Sequence, residues 1–197
     1  MLHFFLFPML IQLPSFLRLW LLSVLVLLAA GCASVDHKVG PRPLPSTVVY
    51  VVRHAEKEAT PGLQDPPLTA AGQQRAQILA DTLRKAPITA AFSTATTRTR
   101  STAAPLAAAR SLTVQPYEAG QLAALATRIR REYRGKVVLV VGHSNTILET
   151  VEALGAKRPV SAVQDSEYDY LLEVRLPADT TQAATVVARR YGAASGR

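Results

Sequence analysis

The chain has 197 residues, 49% of them hydrophobic and 18% charged, enough for one domain with its own core and too apolar for a disordered chain. Lysine and arginine outnumber the acids 22 to 14, for a net charge of +8, which admits nucleic acid, an anionic membrane surface or a phosphorylated substrate without choosing among them. A single cysteine excludes an internal disulfide framework and a zinc site of the paired-cysteine kind.

From Leu19 to Ala30 the chain reads LWLLSVLVLLAA, too short to span a bilayer and of the size of a signal-peptide core. Arg18 precedes it and serves as the positive flank if the chain starts at Met9 rather than Met1. Leu28-Ala29-Ala30-Gly31-Cys32 resembles the lipobox of bacterial lipoproteins, although Ala29 stands where leucine is commoner. The resemblance implies cleavage after residue 31 and a lipid on Cys32, with a plain secretory signal or an uncleaved anchor as alternatives. The expected location is then the bacterial cell envelope, lipid-anchored at the outer membrane and facing the periplasm. Removing residues 1–31 leaves a charge of +7, so the mature domain is basic in its own right. Residues 32–46, with three prolines and a glycine, read as the lipidated cysteine and a tether. The folded domain is expected over 47–191, closed by a flexible small-residue tail at 192–197.

Within the domain the periodicity alternates. Thr47 to Val52, TVVYVV, is a β-branched run expected of a strand buried on both faces. After Thr69, a good N-cap, Ala76, Leu79, Ala80 and Leu83 mark one face of a helix. Ile88 to Ser93 reads as a second strand, Thr99 to Ala109 as a helix and Leu112 to Gln115 as a third strand. Leu122, Leu125, Ala126 and Ile129 form the next helical stripe, and Lys136 to Gly142 is the clearest buried strand. Thr146 to Leu154 reads as a helix stopped by Gly155, and DYLLEVRL and ATVVARRY as closing strands. The order β-α-β-α-β-α-β-α-β-β predicts an α/β fold, a three-layer α/β/α sandwich on a mainly parallel sheet. In such sheets the ligand lies beyond the carboxyl ends of the strands.

Arg53 and His54 follow the first strand directly, and His143 follows the strongest one. The other two histidines, His3 and His37, fall in the signal and the tether. After the second strand, TATTRTRSTA places Arg98 and Arg100 at the same edge. Arginine presents a planar, permanently charged fork that matches a phosphoryl group. A cation is otherwise unfavourable in the first turn of a helix, an objection that a bound anion would remove.

These residues carry a family resemblance. VVRHAEK (51–57) resembles the Arg-His-Gly signature of the histidine phosphatase superfamily, the group that includes phosphoglycerate mutases and acid phosphatases. PPLTAAGQQRA (66–76) resembles its Leu-Thr-x-x-Gly block, Arg98-Thr99-x-x-Thr102-Ala103 its arginine block, and VVGHSNT (140–146) the block holding its second histidine. The resemblance implies a phosphoglycerate mutase-like fold and a metal-independent phosphoric monoester hydrolase without a cofactor. In it His54 is the nucleophile that becomes a phosphohistidine, while Arg53, Arg98 and His143 hold the phosphoryl oxygens. A general acid must protonate the leaving alkoxide. Glu118, just after the third strand, is the first choice, with Glu56 and Glu149 as alternatives. Two departures stand out: Ala55 replaces the usual glycine, and Ser144 follows His143 where many relatives have glycine. A glycolytic mutase role is unexpected for so short a domain behind a lipoprotein signal.

Two other readings compete. The same cationic pocket on a non-catalytic lipoprotein would bind phosphorylated envelope glycans. GHSNT (142–146) resembles the nucleophile elbow of serine esterases, but no histidine follows His143 to complete a triad. RIRREYR (128–134) competes as a nucleic-acid or membrane contact, but its charges surround Ile129 of the apolar stripe, so it reads as a solvated helix face, without the aromatic platform a nucleic acid would need. The expected partners are a small or envelope phosphomonoester and, through the N-terminal lipid, the membrane. No nucleic acid and no obligate protein partner is inferred.

Overall fold

The protein is described by a computed structural model over residues 45–195. The signal, the lipobox, Cys32 and nearly all of the tether lie outside the described residues. The described residues fall within one compact unit. Its six strands are β1 (Thr47–Arg53), β2 (Ile88–Ser93), β3 (Val114–Pro116), β4 (Val137–Gly142), β5 (Tyr170–Leu176) and β6 (Thr185–Arg190). They lie in the order β3-β2-β4-β1-β5-β6. The first four are mutually parallel, β5 is antiparallel to β1, and β6 is antiparallel to β5. The helices are α1 (Ala70–Thr82), α2 (Thr97–Ala109), α3 (Leu122–Glu132) and α4 (Ile147–Ala153). Element order and mainly parallel pairing are those the periodicity predicts.

Two apolar clusters show why the runs in β1 and β4 are continuous rather than alternating. Val49, Val51, Val138 and Val140 pack with Leu125 and Ile129 of α3 and Ile147 and Val151 of α4. Val52, Leu139 and Val141, from the other side of the same strands, pack with Leu79 of α1 and Leu106 of α2. Side chains alternate across a strand, so a strand covered on both faces must be apolar at every position. The result is three layers, with each buried leucine or isoleucine contributing about 1.5–3 kcal/mol.

Local chemistry sets the ends of the helices. The Thr69 hydroxyl accepts from the Gly72 N–H at 3.1 Å, the cap expected for α1. A Cβ on Gly72 would stand 2.1 Å from the Glu56 carbonyl oxygen, so only glycine lets α1 close against the segment leaving β1. Gly155, at φ +80°, ends α4 as expected. α2 starts at Thr97 rather than Thr99, because the Asp65 carboxylate accepts from the Thr97 N–H and hydroxyl, at 3.0 and 2.7 Å. β3 begins two residues later than predicted, because the Leu112 N–H donates to the Ala107 carbonyl and closes the end of α2.

Candidate active site

β1 and β4 are neighbours in register, Arg53 opposite Gly142, yet their chains leave toward opposite faces of the sheet: β1 leads to α1 and β4 to α4. A crevice opens between strands at such a switch point. The two histidines flank it. The His54 N–H donates to the Gly142 carbonyl at 2.9 Å, extending the ladder by one bond, and the His54 and His143 rings meet edge-on with centroids 5.4 Å apart.

His54 is 3% exposed, and its Nδ1 lies 2.8 Å from the Ala55 carbonyl oxygen. A carbonyl only accepts, so Nδ1 carries the proton and Nε2 the free lone pair. Burial first, then the charges of Arg53, His143 and Arg98, push its pKa down to about 3. The ring is therefore neutral at pH 7 and fixed in the tautomer that leaves the Nε2 lone pair free. His143 is also pushed below its ordinary value, by burial and then by Arg98 and Arg53, and its Nε2 hydrogen-bonds the Thr94 hydroxyl at 2.9 Å. The Ala55 N–H donates to Thr102 Oγ1, which fixes the turn after His54. The Ala55 methyl is fully buried with Leu68 and Ala76, so the side chain that replaces the usual glycine goes into a small apolar cluster.

Two arginines supply the positive charge. One face of the Arg53 guanidinium lies against the Tyr168 ring, 4.2 Å from its centroid. Its Nη1 donates to the carbonyls of Gln164, Asp165 and Glu167 at 2.9, 2.9 and 3.0 Å. Arg98, in the first turn of α2, is 3.5 Å from Asp65. The Nε atoms of both arginines are buried without a hydrogen-bond partner, a cost of about 1–3 kcal/mol each that an anionic acceptor would remove. Arg100 is exposed and makes no ion pair among the described residues.

The three candidate acids end in different surroundings. Glu56 is gripped by Arg75, whose Nε is 2.9 Å from each carboxylate oxygen. Glu149 pairs with Arg158 at 3.0 Å and, with Ser144, lines a cavity of about 230 Å³. Glu118 is exposed past the carboxyl end of β3, at a cavity of about 280 Å³ shared with Tyr117, Gln121 and Arg128. It alone of the three has no arginine partner among the described residues, although the structure does not bring it into contact with His54. Ser144 makes no hydrogen bond to either histidine among the described residues.

Residues 49–119 match the family model described as Histidine phosphatase superfamily (branch 1). Over those residues the chain is similar to the histidine phosphatase superfamily (branch 1). The match contains Arg53, His54, Arg98 and Glu118 and ends before His143, which the parallel pairing of β4 with β1 brings to the same crevice. A phosphatase of this superfamily is what the sequence resemblance implied. Solved structures share the fold at low identity. A mycobacterial hydrolase, "Mycobacterial hydrolase 2", is 14% identical at a TM-score of 0.56, covering 77% of this chain and 93% of its own. The protein histidine phosphatase SixA complexed with tungstate is 16% identical at 0.56, covering 73% and 96%. A phosphoserine phosphatase from Entamoeba histolytica in complex with 3-phosphoglyceric acid is 15% identical at 0.56, covering 75% and 97%. No curated protein matches the chain.

Sequence reasoning missed the supporting groups: Asp65, Thr94, Arg75, Tyr168 and the main chain of 164–167. Thr94 and Thr102 sit in a visibly threonine-rich stretch, which was a usable signal. Tyr168 stands in a loop without periodicity, and nothing in its spacing marks it. The tail also takes part. Arg75 donates to the carbonyls of Tyr191 and Ala193 at 3.1 and 3.0 Å, and the Tyr168 N–H donates to Ser195 Oγ at 2.8 Å.

Proposed function

We propose that this protein hydrolyses phosphomonoesters through a phosphohistidine on His54, and that it does so outside the cytoplasm, held to the membrane through Cys32. The observation that carries the chemistry is the fixed tautomer of His54, a neutral ring with Nε2 free beside two arginines whose Nε donors are buried and unpartnered. In the first step the Nε2 lone pair attacks phosphorus. The bond to the leaving oxygen breaks, and that oxygen takes a proton from Glu118. In the second step water attacks the phosphohistidine, its proton passes to the Glu118 carboxylate, and phosphate leaves His54 neutral. Arg53, Arg98 and His143 offset charge on the transferring group as donors already in place, so little reorganisation accompanies the reaction. Glu118 is assigned the proton because Glu56 and Glu149 are held in ion pairs.

The lipid anchor is supported by the sequence Leu28 to Cys32. No helix among the described residues is long and apolar enough to cross a membrane.

The test of function is covalent trapping with a substrate carrying labelled phosphate. Wild-type protein should take up acid-labile label and turn over an aryl phosphate, and His54→Ala should do neither while keeping its fold. Label on His54→Ala would place the nucleophile on another residue, and binding of phosphomonoesters without turnover by wild type would replace this reading with that of a binding protein. Cys32→Ser should release the protein from the membrane fraction or leave an unprocessed precursor, and unchanged processing and retention would refute the anchor.

A further inference from the structure

Arg53 and Arg98 at the carboxyl edge of the sheet are absorbed by the site, but among the described residues most of the cations without an ion pair lie at the other edge. The turns that precede β2, β3 and β4, together with the end of α3, carry Arg84, Lys85, Arg110, Arg130, Arg134 and Lys136. None of the six has an ion-pair partner among the described residues, whereas Arg75, Arg98, Arg128, Arg131, Arg158, Arg175, Arg189 and Arg190 all do. Three of them are braced by main-chain carbonyls, which fix the arginine without neutralising it. Arg110 donates to the carbonyl of Ala86 at 2.8 Å, Arg130 to Leu154 at 2.6 Å and Arg134 to Ala178 at 2.8 Å. The nearby acids are spent or few. Glu132 is held by Arg128 and Arg131, Asp179 caps its own loop through Thr181 and Gln182, and Asp81 stands alone at the end of α1.

The chain enters the domain on this edge. Thr47 Oγ1 donates to the Tyr133 carbonyl at 3.3 Å and accepts from the Gly135 N–H at 2.8 Å, and Pro45 packs against Gly135. The chain that follows Cys32 therefore enters the domain beside Arg134 and Lys136. We propose that this amino edge is a docking surface for anionic phospholipid headgroups, which seats the domain on the bilayer with its catalytic crevice turned away. The charge matches such a surface, which attracts each nearby cation by enough to matter in sum. Nucleic acid fits less well: the aromatic of this edge, Tyr133, packs edge-on against Phe92 and is hydrogen-bonded to Gln115, so it offers no free ring for stacking. The proposal is independent of the phosphohistidine chemistry.

The test separates the surface from the tether by using residues 43–197, which hold both apolar cores and span nearly the whole of the similar solved chains. Co-sedimentation is measured with vesicles of phosphatidylcholine alone and of phosphatidylcholine mixed with phosphatidylglycerol. Binding is expected to the mixed vesicles only and should fall with added salt. A triple variant, Arg84→Glu with Lys85→Glu and Lys136→Glu, removes side chains that make no hydrogen bond or ion pair among the described residues. It should bind at least about a hundredfold more weakly while hydrolysing a soluble aryl phosphate as wild type does. For the full chain in the same mixed vesicles, hydrogen exchange at 83–87 and 133–136 should be slower than in neutral ones. Binding that ignores lipid charge, a variant that binds like wild type, unchanged exchange, or tighter binding to duplex DNA than to vesicles at equal salt would each overturn the proposal.

Discussion

The two edges of one sheet use the same residue type in opposite ways. At the carboxyl edge Arg53 is buried, with a side chain 5% exposed, and Arg98 is half-buried, with a side chain 18% exposed. Each has a buried Nε donor and both depress the proton affinity of the histidines. At the amino edge the arginines and lysines are mostly exposed, and three of the arginines donate to main-chain carbonyls. Few charges matter at the first edge because water is excluded and each interaction is strong. Many are needed at the second because each is screened. The difference lies in burial and not in composition, so a count of basic residues could not have separated the two roles.

The sharpest way to break this comparison is to delete one arginine from each edge. Arg98→Ala should lower kcat/KM by about 10²–10³-fold, the usual cost of one transition-state donor. Arg134→Ala should change it by less than about twofold, since surface substitutions move free energies by roughly half a kcal/mol. Steady-state kinetics on one aryl phosphate checks both, and comparable losses would mean that the long-range field rather than local contact drives the chemistry.

Glu118→Gln tests the proton donor at the same edge. An alkyl alkoxide needs the proton as the bond breaks and a nitrophenolate does not, so the variant should lose about 10²-fold on alkyl phosphates and far less on aryl phosphates. Equal losses on both would remove Glu118 from the role, and the same comparison on Glu149→Gln would show whether the carboxylate paired with Arg158 supplies it instead.

Strand order and the positions of His54, His143 and Arg98 were legible because they rest on local signals: continuous β-branched runs, and chemistry placed directly after them. The Leu68-Thr69-x-x-Gly72 block was legible as a pattern, but its reason, the approach of Gly72 to the Glu56 carbonyl, is tertiary. The hold of Asp65 on α2 and of Arg75 on Glu56 spans 32 and 19 residues, and no periodicity reports contacts at such separations. The second half of the site, the 164–168 loop over Arg53, is held by main-chain carbonyls, which every sequence has in equal measure.

Burial of the histidines has a cost that pH reveals. The ordinary value for His54 is 6.5 and its folded value is about 3. Between these the unfolded chain binds a proton that the folded chain refuses, so stability is complete above pH 6.5 and is lost as pH falls toward 3, by up to about 1.4 kcal/mol per pH unit. His143 contributes in the same direction. Urea denaturation at pH 7 and pH 5 should show a loss of about 2 kcal/mol from His54, absent in His54→Ala. Asp65 and Asp169, held below their ordinary 3.8, lose their contributions only at lower pH. Equal pH dependence in wild type and variant would mean that His54 is already charged in the fold.

The smallest expected effect concerns Tyr168, which sharpens what holds Arg53 in place. Its ring lies 4.2 Å from the guanidinium and 6.1 Å from the His54 ring, while the hydrogen bonds to Arg53 come from the carbonyls of 164, 165 and 167. Tyr168→Leu keeps apolar bulk and those carbonyls but removes the π face, and cation–π contacts are worth about 0.5–2 kcal/mol. The loss in kcat/KM should be about three- to tenfold. It should be carried mostly by KM, because a less fixed Arg53 weakens phosphate binding before it changes the nucleophile. Tyr168→Phe keeps the ring and should match wild type. A Phe variant as impaired as Leu would assign the effect to the hydroxyl, and an unimpaired Leu variant would show that three carbonyls suffice to hold Arg53.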